Sequence, residues 1–557
     1  MENIWLPVWI VLGTVAAVCV FLLPVWRKKV QAKRGQHFEQ MMGAVPPEIS
    51  AYDLESIAEY YKQSRASGGR APVDDATWDD LEMDAVFSRM NACLSSAGEE
   101  YLYKKLHEPC TDCIPLRDFE TFIAALESNP ALRLRLQQLL FRVGKSRYNH
   151  VAGLIHNTES KLLGRAWAYP LLALLPAAAI VLMFFSAGWG ILLFAAAAAV
   201  NGIVYYFSMQ KARDAIGAVR YLSSVMWFLD QLFKEERPEV EAFLPGLKND
   251  YRLLRPALRR AFASTRPVMG DLDALLVYLR FLFFIDIIPY NRAMKKIAGN
   301  KPALKRLYEA AGSMDAALCV LSYRKSVHAY CRPEFWDKKE VSFSGMAHPL
   351  VEPAVENSLE TSQNCLITGS NASGKTTFIK AVAVNAILAQ TVHTCLASQF
   401  RMPFAHVMTS MAIKSSVVSG ESYFIAEIKS LGRILDRIGE DMPCLCFIDE
   451  ILRGTNTTER IAASYAVLCY LADKNALCFV ASHDIELAGL LQDVYRNLHF
   501  SERIEQDGIV FDYKLHEGYA KTKNAIRLLS FMGFDAEVCQ NAEALAERLE
   551  GKNDVPG

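Results

Sequence analysis

The hydrophobic pattern contains three long runs with almost no polar interruption. Ile4–Trp26 is the first and ends in Arg27, Lys28 and Lys29; Trp167–Ser186 and Ile191–Phe207 are the others, separated by Ala187-Gly188-Trp189-Gly190. At 1.5 Å per helical residue, about 20 apolar residues cross the ~30 Å hydrocarbon layer of a bilayer. The pattern therefore predicts one membrane helix near the N-terminus and a membrane hairpin with a very short turn. Tyr169 and the Tyr205-Tyr206 pair fall at one interface of that hairpin and Trp189 at the other, the depth that amphipathic aromatic rings favour. In the first run the cations follow the apolar residues rather than precede them, which favours an uncleaved anchor over a signal peptide. The alternative for the second and third runs is a hairpin buried in a soluble domain. Trp167–Met209 is nearly free of charge, and so much apolar surface is hard to cover that way.

Charge then sets an orientation. Arg27, Lys28, Lys29, Lys33 and Arg34 follow the first run, Lys161 and Arg165 precede the second, and Lys211 and Arg213 follow the third. With three spans all of these lie on one side, and cationic loops stay in the cytoplasm. The N-terminus is then outside, in a multi-pass protein of the cell (inner) membrane, and everything after Lys211 is cytoplasmic. Leu272–Tyr290 is also apolar, but Asp273, Arg280 and Asp286 break it; it reads as a buried or membrane-grazing helix.

Elsewhere the period changes. Residues 35–165 and 212–335 follow helical spacing, as in Leu81, Val86, Met90 and Leu94. After Phe343 short apolar runs (Cys365–Thr368, Cys444–Ile448, Leu477–Ala481) alternate with longer helical stretches, the texture of a parallel α/β sheet. The expected fold is multi-domain α and α/β. A transmembrane anchor occupies residues 1–29, and a helical core takes 30–165 and 210–340. The core is interrupted by the hairpin at 166–209, and a parallel-rich α/β domain with a helical C-terminal segment takes 341–557. Composition agrees: 557 residues exceed one ordinary domain and a 52% hydrophobic share excludes a disordered chain. Sixty basic against sixty-one acidic residues leave a net charge of −1, so any nucleic-acid contact is a local patch. Thirteen scattered cysteines suit a reducing compartment. The lone Cys110/Cys113 pair has no second pair to complete a zinc site, and no His/Cys metal cluster is expected.

Gly369-Ser370-Asn371-Ala372-Ser373-Gly374-Lys375-Thr376 fits G-x-x-x-x-G-K-[ST], with a strand-like run at Asn364–Thr368 before it and a helical one at Thr377–Ala389 after it. Glycines let backbone N–H groups turn toward phosphate oxygens, and the helix N-terminus adds positive potential. Lys375 reaches the β/γ phosphates and Thr376 offers its hydroxyl to Mg²⁺. Seventy-four residues after the lysine, the run Cys444–Ile448 ends in Asp449-Glu450. In this reading Asp449 holds Mg²⁺ through its water shell and Glu450 polarises the attacking water. A third run, Ala476–Ala481, ends in Ser482-His483-Asp484, where His483 can sense or hold the γ-phosphate. The expected cofactors are ATP and Mg²⁺.

These residues carry a family resemblance. Thr368–Thr377 resembles the TGPNMGGKST loop of the MutS family of ABC-type ATPases, including Asn371 within it. Asp449-Glu450-Ile451-Leu452-Arg453-Gly454-Thr455-Asn456-Thr457 resembles DEIGRGTST, and Ala481-Ser482-His483 resembles the ATH switch segment. Ser419–Phe424 with Glu427 resembles the signature SGRSTFMVE, and His348-Pro349-Leu350-Val351-Glu352 resembles the HPVVE beside the adenine. His516 through Gly518, Lys521, Asn524, Ala525, Gly533 and Phe534 resemble the closing segment. Upstream, Asp75-Ala76-Thr77, Leu81-Glu82-Met83 and Gly98 through Pro109 resemble the start of the family's helical core, and Gly312–Ala316 its end.

The resemblance implies an ATP hydrolase that works as a homodimer through its ATPase domains. Ser422, or else Ser419, would reach the γ-phosphate held by the other subunit. Asn371, Thr377 and His348 would contact the nucleotide, and Gln399 would sit where nucleotide couples to partner motion. DNA, mismatched or branched, is the implied ligand. The sequence departs from the family in two places: the hairpin stands where a repair protein carries a clamp, and only a short stretch separates the first span from the core, leaving no room for a mismatch-reading domain. Phe233-Lys234-Glu235 matches the letters of a mismatch reader, but on a charged helix. Arg252, Arg255, Arg259, Arg260 and Arg266 are a basic stretch open to DNA phosphates, to anionic lipid or to water alone. An ATP-driven mechanical or scaffolding protein acting on the lipid bilayer or a protein partner, without DNA, is the second functional reading. A transporter-like machine is the third, and three spans are few for a solute path.

Overall fold

The three apolar runs after Phe343 become strands buried on both faces, which is what continuous rather than alternating hydrophobicity demands. A computed structural model of the chain describes residues 35–68, 73–157, 162–264, 278–370, 373–411, 423–439, 441–452, 455–505, 508–519 and 532–553. The first apolar run and its basic tail, Asn371, Ala372, Ser419, Ser422, Arg453, Gly454, Lys521, Asn524 and Ala525 lie outside the described residues.

In chain order the helices of the first half are α1 (Ala51–Ala66), α2 (Asp75–Asp80), α3 (Met83–Met90), α4 (Ser96–His107), α5 (Cys113–Ser128), α6 (Pro130–Val143), α7 (Val151–His156), α8 (Ala168–Phe185), α9 (Ala187–Glu235), α10 (Pro238–Phe243), α11 (Leu247–Ser264), α12 (Ile287–Ala298) and α13 (Lys301–Ser326). Then come β1 (Glu334–Phe335), β2 (Val341–Met346), β3 (Asn357–Thr361), β4 (Cys365–Thr368), α14 (Lys375–Val392), β5 (Gln399–Met402), β6 (His406–Ser410), α15 (Tyr423–Arg437), β7 (Cys444–Asp449), α16 (Thr457–Ala472), β8 (Ala476–Ser482), α17 (Ile485–Leu490), β9 (Arg496–Glu505), β10 (Gly508–Glu517) and α18 (Ala536–Asn553). The described residues divide into two compact units, one drawn from 1–69, 90–104 and 118–328, the other from 70–89, 105–117 and 329–557.

The first unit is helical. Its α13 is buried on every side from Ala310 to Arg324. The polar residues inside are paired. Asp315 on α13, fully buried, accepts from the Ser95 hydroxyl at 2.5 Å and from the backbone N–H groups of Ser95 and Leu94 at 2.8 and 3.0 Å. Glu100 accepts from Asn149 at 2.7 Å and from the Tyr308 hydroxyl at 2.8 Å; burial pushes its carboxyl up to about 8. Phe233 packs edge-on against Tyr251, and Glu235 accepts from Arg135 at 2.7 Å, so the two letters of the reader motif serve the fold.

Helices α8 and α9 are each long and apolar enough to cross a membrane. Their side chains mostly face outward: Phe184 and Phe185 are 86% and 85% exposed and Trp189 is 69% exposed. Each such ring moved from water into lipid gains about 1.5–3 kcal/mol. The turn is tighter than the four residues 187–190. Ser186 alone makes it: its N–H closes α8 on the carbonyl of Leu182, and its own carbonyl accepts from Gly190 to open α9. Helix α9 then continues for 49 residues, out of the apolar section and into the packed core. Fully buried Asn201 on α9 donates to the carbonyls of Leu172 and Leu282 at 3.0 and 2.8 Å, tying the hairpin to the segment before α12.

The second unit holds two sheets. One runs β1-β5-β2-β3; the other runs β10-β9-β4-β8-β7-β6 and is parallel except for the β10/β9 pair. The core on one face of the larger sheet is built from Leu366, Cys446, Ile448, Cys478 and Val480 with Leu468 and Leu471 of α16. Hydrogen bonding to Cys444 and Cys478, with burial, pushes the Cys446 thiol well above its ordinary range and keeps it protonated.

Candidate functional site

In an open parallel sheet, ligands gather beyond the carboxyl ends of the strands. Here β4, β8 and β7 are adjacent, with Thr368 opposite Ser482 and Asp449 opposite Ala481. Whatever follows each strand therefore meets at one rim. The glycine loop follows β4, Glu450 follows β7 and His483 follows β8.

The loop requires its glycines. Gly369 has φ +146°, and a Cβ there would stand 2.9 Å from the Phe500 carbonyl oxygen; Gly374 has φ +103°, a conformation costly for any side chain. Lys375 opens α14 and is 4% exposed, and its Nζ donates to the carbonyls of Gly369 and Ser370 at 2.8 and 2.7 Å. The ammonium thus lies in the curl of the loop. The Ser370 hydroxyl donates to the carboxylate of Glu502. Thr376 Oγ1 donates to Asp449 Oδ2 at 2.8 Å. A hydroxyl and a carboxylate so close are the hard oxygen donors that Mg²⁺ takes, with water completing the octahedron.

Glu450 has φ +56°. A non-glycine residue in that region is strained, and such strain concentrates at functional sites. Its N–H is held by the Ala481 carbonyl at 2.9 Å, and its Oε1 lies 2.7 Å from Nε2 of His483. Arg460 on α16 grips Asp484 with two hydrogen bonds of 3.1 and 2.7 Å, fixing the backbone just after His483. Asn456 caps α16 by accepting from the Glu459 N–H at 2.9 Å.

Ser370, Lys375, Thr376, Asp449, Glu450 and His483 line a cavity of about 780 Å³. The same cavity has apolar and aromatic walls from Val351, Val355, Phe500 and Tyr513, and His348 lines it too. His348 accepts from the Leu350 N–H through Nδ1 at 3.1 Å. Burial, assisted by nearby Lys380, pulls its imidazole down to about 4, so it is neutral near pH 7. Tyr513 was not legible in the sequence. Strand β10 shifts register between Phe511 and Leu515, Tyr513 takes φ +52°, and its ring comes within 3.1 Å of a Cβ built on Gly374. Asn357 spans the irregularity, donating to the Tyr513 carbonyl at 3.0 Å and accepting from the Leu515 N–H at 2.8 Å. An aromatic in a strand gives no local sign that a bulge will turn it inward.

Of the residues singled out in the sequence, Ser370, Ser373, Gly374, Lys375, Thr376, Thr377, His348, Asp449, Glu450 and His483 line this cavity, and Gly369 packs against Phe500 and Ser373, which line it. Gln399 opens β5 opposite Ser344 and does not line it. Arg252, Arg255 and Arg259 share the exposed side of α11, with Arg255 3.2 Å from Asp230. Among the described residues no group of three or more His, Cys, Asp or Glu side chains would hold a metal ion. His107 stacks on Trp78 at 3.4 Å, and His156 packs edge-on against Tyr60.

Part of the chain is similar to known proteins. The model of MutS domain V matches residues 365–550. The DNA mismatch repair protein MutS of Thermus aquaticus is 28% identical over 339 residues, 60% of this chain and 39% of that protein. That of Natronomonas pharaonis is 29% identical over 49% of this chain and 33% of its own length. That of Thermus thermophilus is 28% identical over 63% and 43% respectively. The matched part is thus well under half the length of each of these curated relatives.

Proposed function

Because the chain belongs to the MutS family, we propose that it is a membrane-anchored ATPase. In this reading ATP binding and hydrolysis in a homodimer are coupled to conformational change on DNA. One observation carries the ATPase reading: Lys375, Thr376, Asp449, Glu450 and His483 converge on a single cavity.

The residues present fit Mg-ATP. The triphosphate is received on backbone N–H groups of the glycine loop, among them those of 373–376, and on Lys375, whose bonds to its own loop carbonyls must open to admit phosphate oxygens. Thr376 and Asp449 supply two oxygens to Mg²⁺, which neutralises phosphate charge when bound. The apolar and aromatic walls, with Tyr513 and neutral His348, receive the purine. Glu450 takes a proton from the attacking water, and His483 orients that carboxylate through their 2.7 Å contact. Ser422 of each subunit completes the site of the other, so closure of the dimer depends on ATP.

The hairpin anchors the protein in the cell membrane with the N-terminus outside and the ATPase domain in the cytoplasm, and its exposed apolar faces support that reading. The same hairpin favours a second reading, in which the ATPase acts on the bilayer or a protein partner without DNA. Hydrolysis by the purified full-length protein in detergent separates the two. Stimulation by mismatched or branched DNA that falls steeply with salt supports the first reading; indifference to every DNA form supports the second. Lys375→Ala is expected to abolish nucleotide binding, and retained binding would refute the site.

A further inference from the structure

A third stretch of the helical unit, residues 278–286, meets the hairpin. Residues 278–283 are helical, and the helix breaks at Phe284, which takes φ +51°. A phenylalanine in that region is strained. Its ring is fully buried beside Tyr169 of α8 and Tyr205 of α9, with centroids 5.4 and 6.4 Å away. Side chains of α9 meet the polar groups at the break. Asn201 donates to the Leu282 carbonyl at 2.8 Å, and the Tyr205 hydroxyl donates to Asp286 Oδ2 at 3.0 Å. Asp286 Oδ1 lies 3.5 Å from Arg280 Nε. Toward the outside the segment offers Tyr278 and Ile285, 60% and 47% exposed.

Helix α9 gauges the depth of this stretch. At the foot of the hairpin the Tyr169 and Ser208 hydroxyls stand 3.1 Å apart. Asn201 is seven residues nearer the tip than Ser208, about 10 Å at 1.5 Å per residue, so the Leu282 backbone is held well above the foot. The flanking helices lie the other way. Tyr251 and Arg255 of α11 pair with Asp230 of α9, beyond Ser208. Asn291 of α12 donates to the carbonyl of Leu163, which precedes α8, at 3.4 Å. Both flanks stand on the side of the foot, and the stretch between them reaches toward the tip and returns.

A helix end in water needs no such partners, because solvent hydrates its carbonyls. In hydrocarbon the protein itself must meet each freed backbone group and each charge. Polar groups turned toward α9 and apolar side chains turned outward are the inverse of a water-facing turn. We infer that residues 278–286 enter the bilayer beside the hairpin as a re-entrant segment, with lipid acyl chains as the partner of Tyr278 and Ile285. The inference rests on the hairpin lying in the bilayer.

The test uses the full-length protein in vesicles of dioleoyl phosphatidylethanolamine and phosphatidylglycerol. The photoreactive residue p-benzoylphenylalanine takes the place of Ile285, of Phe184 or of Phe141. Phe184 is exposed near the tip. Phe141 is exposed on α6, where the next residue, Arg142, lies over the Trp227 ring of α9, far below the foot. After irradiation, alkaline hydrolysis removes the headgroup and leaves the mass of oleic acid on any peptide joined to a chain carbon. That mass is expected at 285 and 184 and not at 141. Its absence at 285 while 184 carries it would overturn the inference, as would equal yield at 285 and 141. Absence at both 285 and 184 would take the hairpin itself out of the bilayer, and the inference with it. Should the bulky residue at 285 prevent folding, judged by thermal melting, Tyr278→Trp carries the comparison. Lipids brominated near the carbonyl end of the chain should quench its added emission, and unchanged emission would again overturn the inference.

Discussion

Glu450 Oε1 and His483 Nε2 stand 2.7 Å apart, one beyond the end of β7 and the other beyond the end of β8. Adjacent parallel strands bring them together, and the positive φ of Glu450 turns its side chain into the rim. A carboxylate so held is suited to accept a proton from water. Glu450→Gln keeps the shape and removes the base, so turnover should fall by about 10²–10⁴-fold while Mg-ATP still binds. Single-turnover hydrolysis and light scattering should then find an ATP-bound dimer; normal hydrolysis would exclude this role.

Thr376 and Asp449 share a hydrogen bond that a bound Mg²⁺ would replace. Thr376→Val and Asp449→Asn should each shift the Mg²⁺ dependence of hydrolysis to higher concentration, by about tenfold or more, the scale of a lost interaction with a charged group. Nucleotide binding without Mg²⁺ should change little. Titration of activity with Mg²⁺ at fixed ATP measures the shift.

Tyr513 lines the cavity with a ring on which the proposed function stacks the base. Tyr513→Ala should raise the Kd for ATP about tenfold, given about 1–3 kcal/mol for aromatic stacking on a base, and Tyr513→Phe should restore it. Equal affinity in Tyr513→Ala would place the base elsewhere. Fluorescent-nucleotide titration is sufficient.

Glu100 makes stability fall with pH. Its folded carboxyl sits near 8, against an ordinary value of 4.5, because burial disfavours the anion. Between these values the unfolded chain binds fewer protons than the folded one, so stability is lost as pH rises through that window. Glu100→Gln should flatten the decline of the helical unit's melting temperature between pH 5 and pH 8, followed by calorimetry. A slope identical to wild type would remove Glu100 as its source.

Much of the site was legible because its chemistry is local. Gly369–Thr376 is contiguous, and a buried strand ending in Asp449-Glu450 advertises itself by an unbroken apolar run. The three strand ends needed only the rule that parallel strands share a rim. Tyr513 was hidden by a bulge that no residue type announces. The tie at Asn201 was hidden for another reason: its acceptor on Leu282 lies 81 positions away, and an asparagine inside an apolar run gives no sign of which backbone it will meet. The hairpin was legible from hydropathy, but not the single-residue turn at Ser186, since Ala187, Gly188 and Gly190 suit a loop as readily as a helix start.

Helix α9 is one unbroken rod of 49 residues, about 73 Å at 1.5 Å per residue. Its first part bears exposed rings and its last part is clasped by the core, with no loop between them to take up slack. A small swing of the clasped end must therefore appear at the far tip as a larger displacement, so the helix gives the molecule the mechanics of a lever rather than a tether.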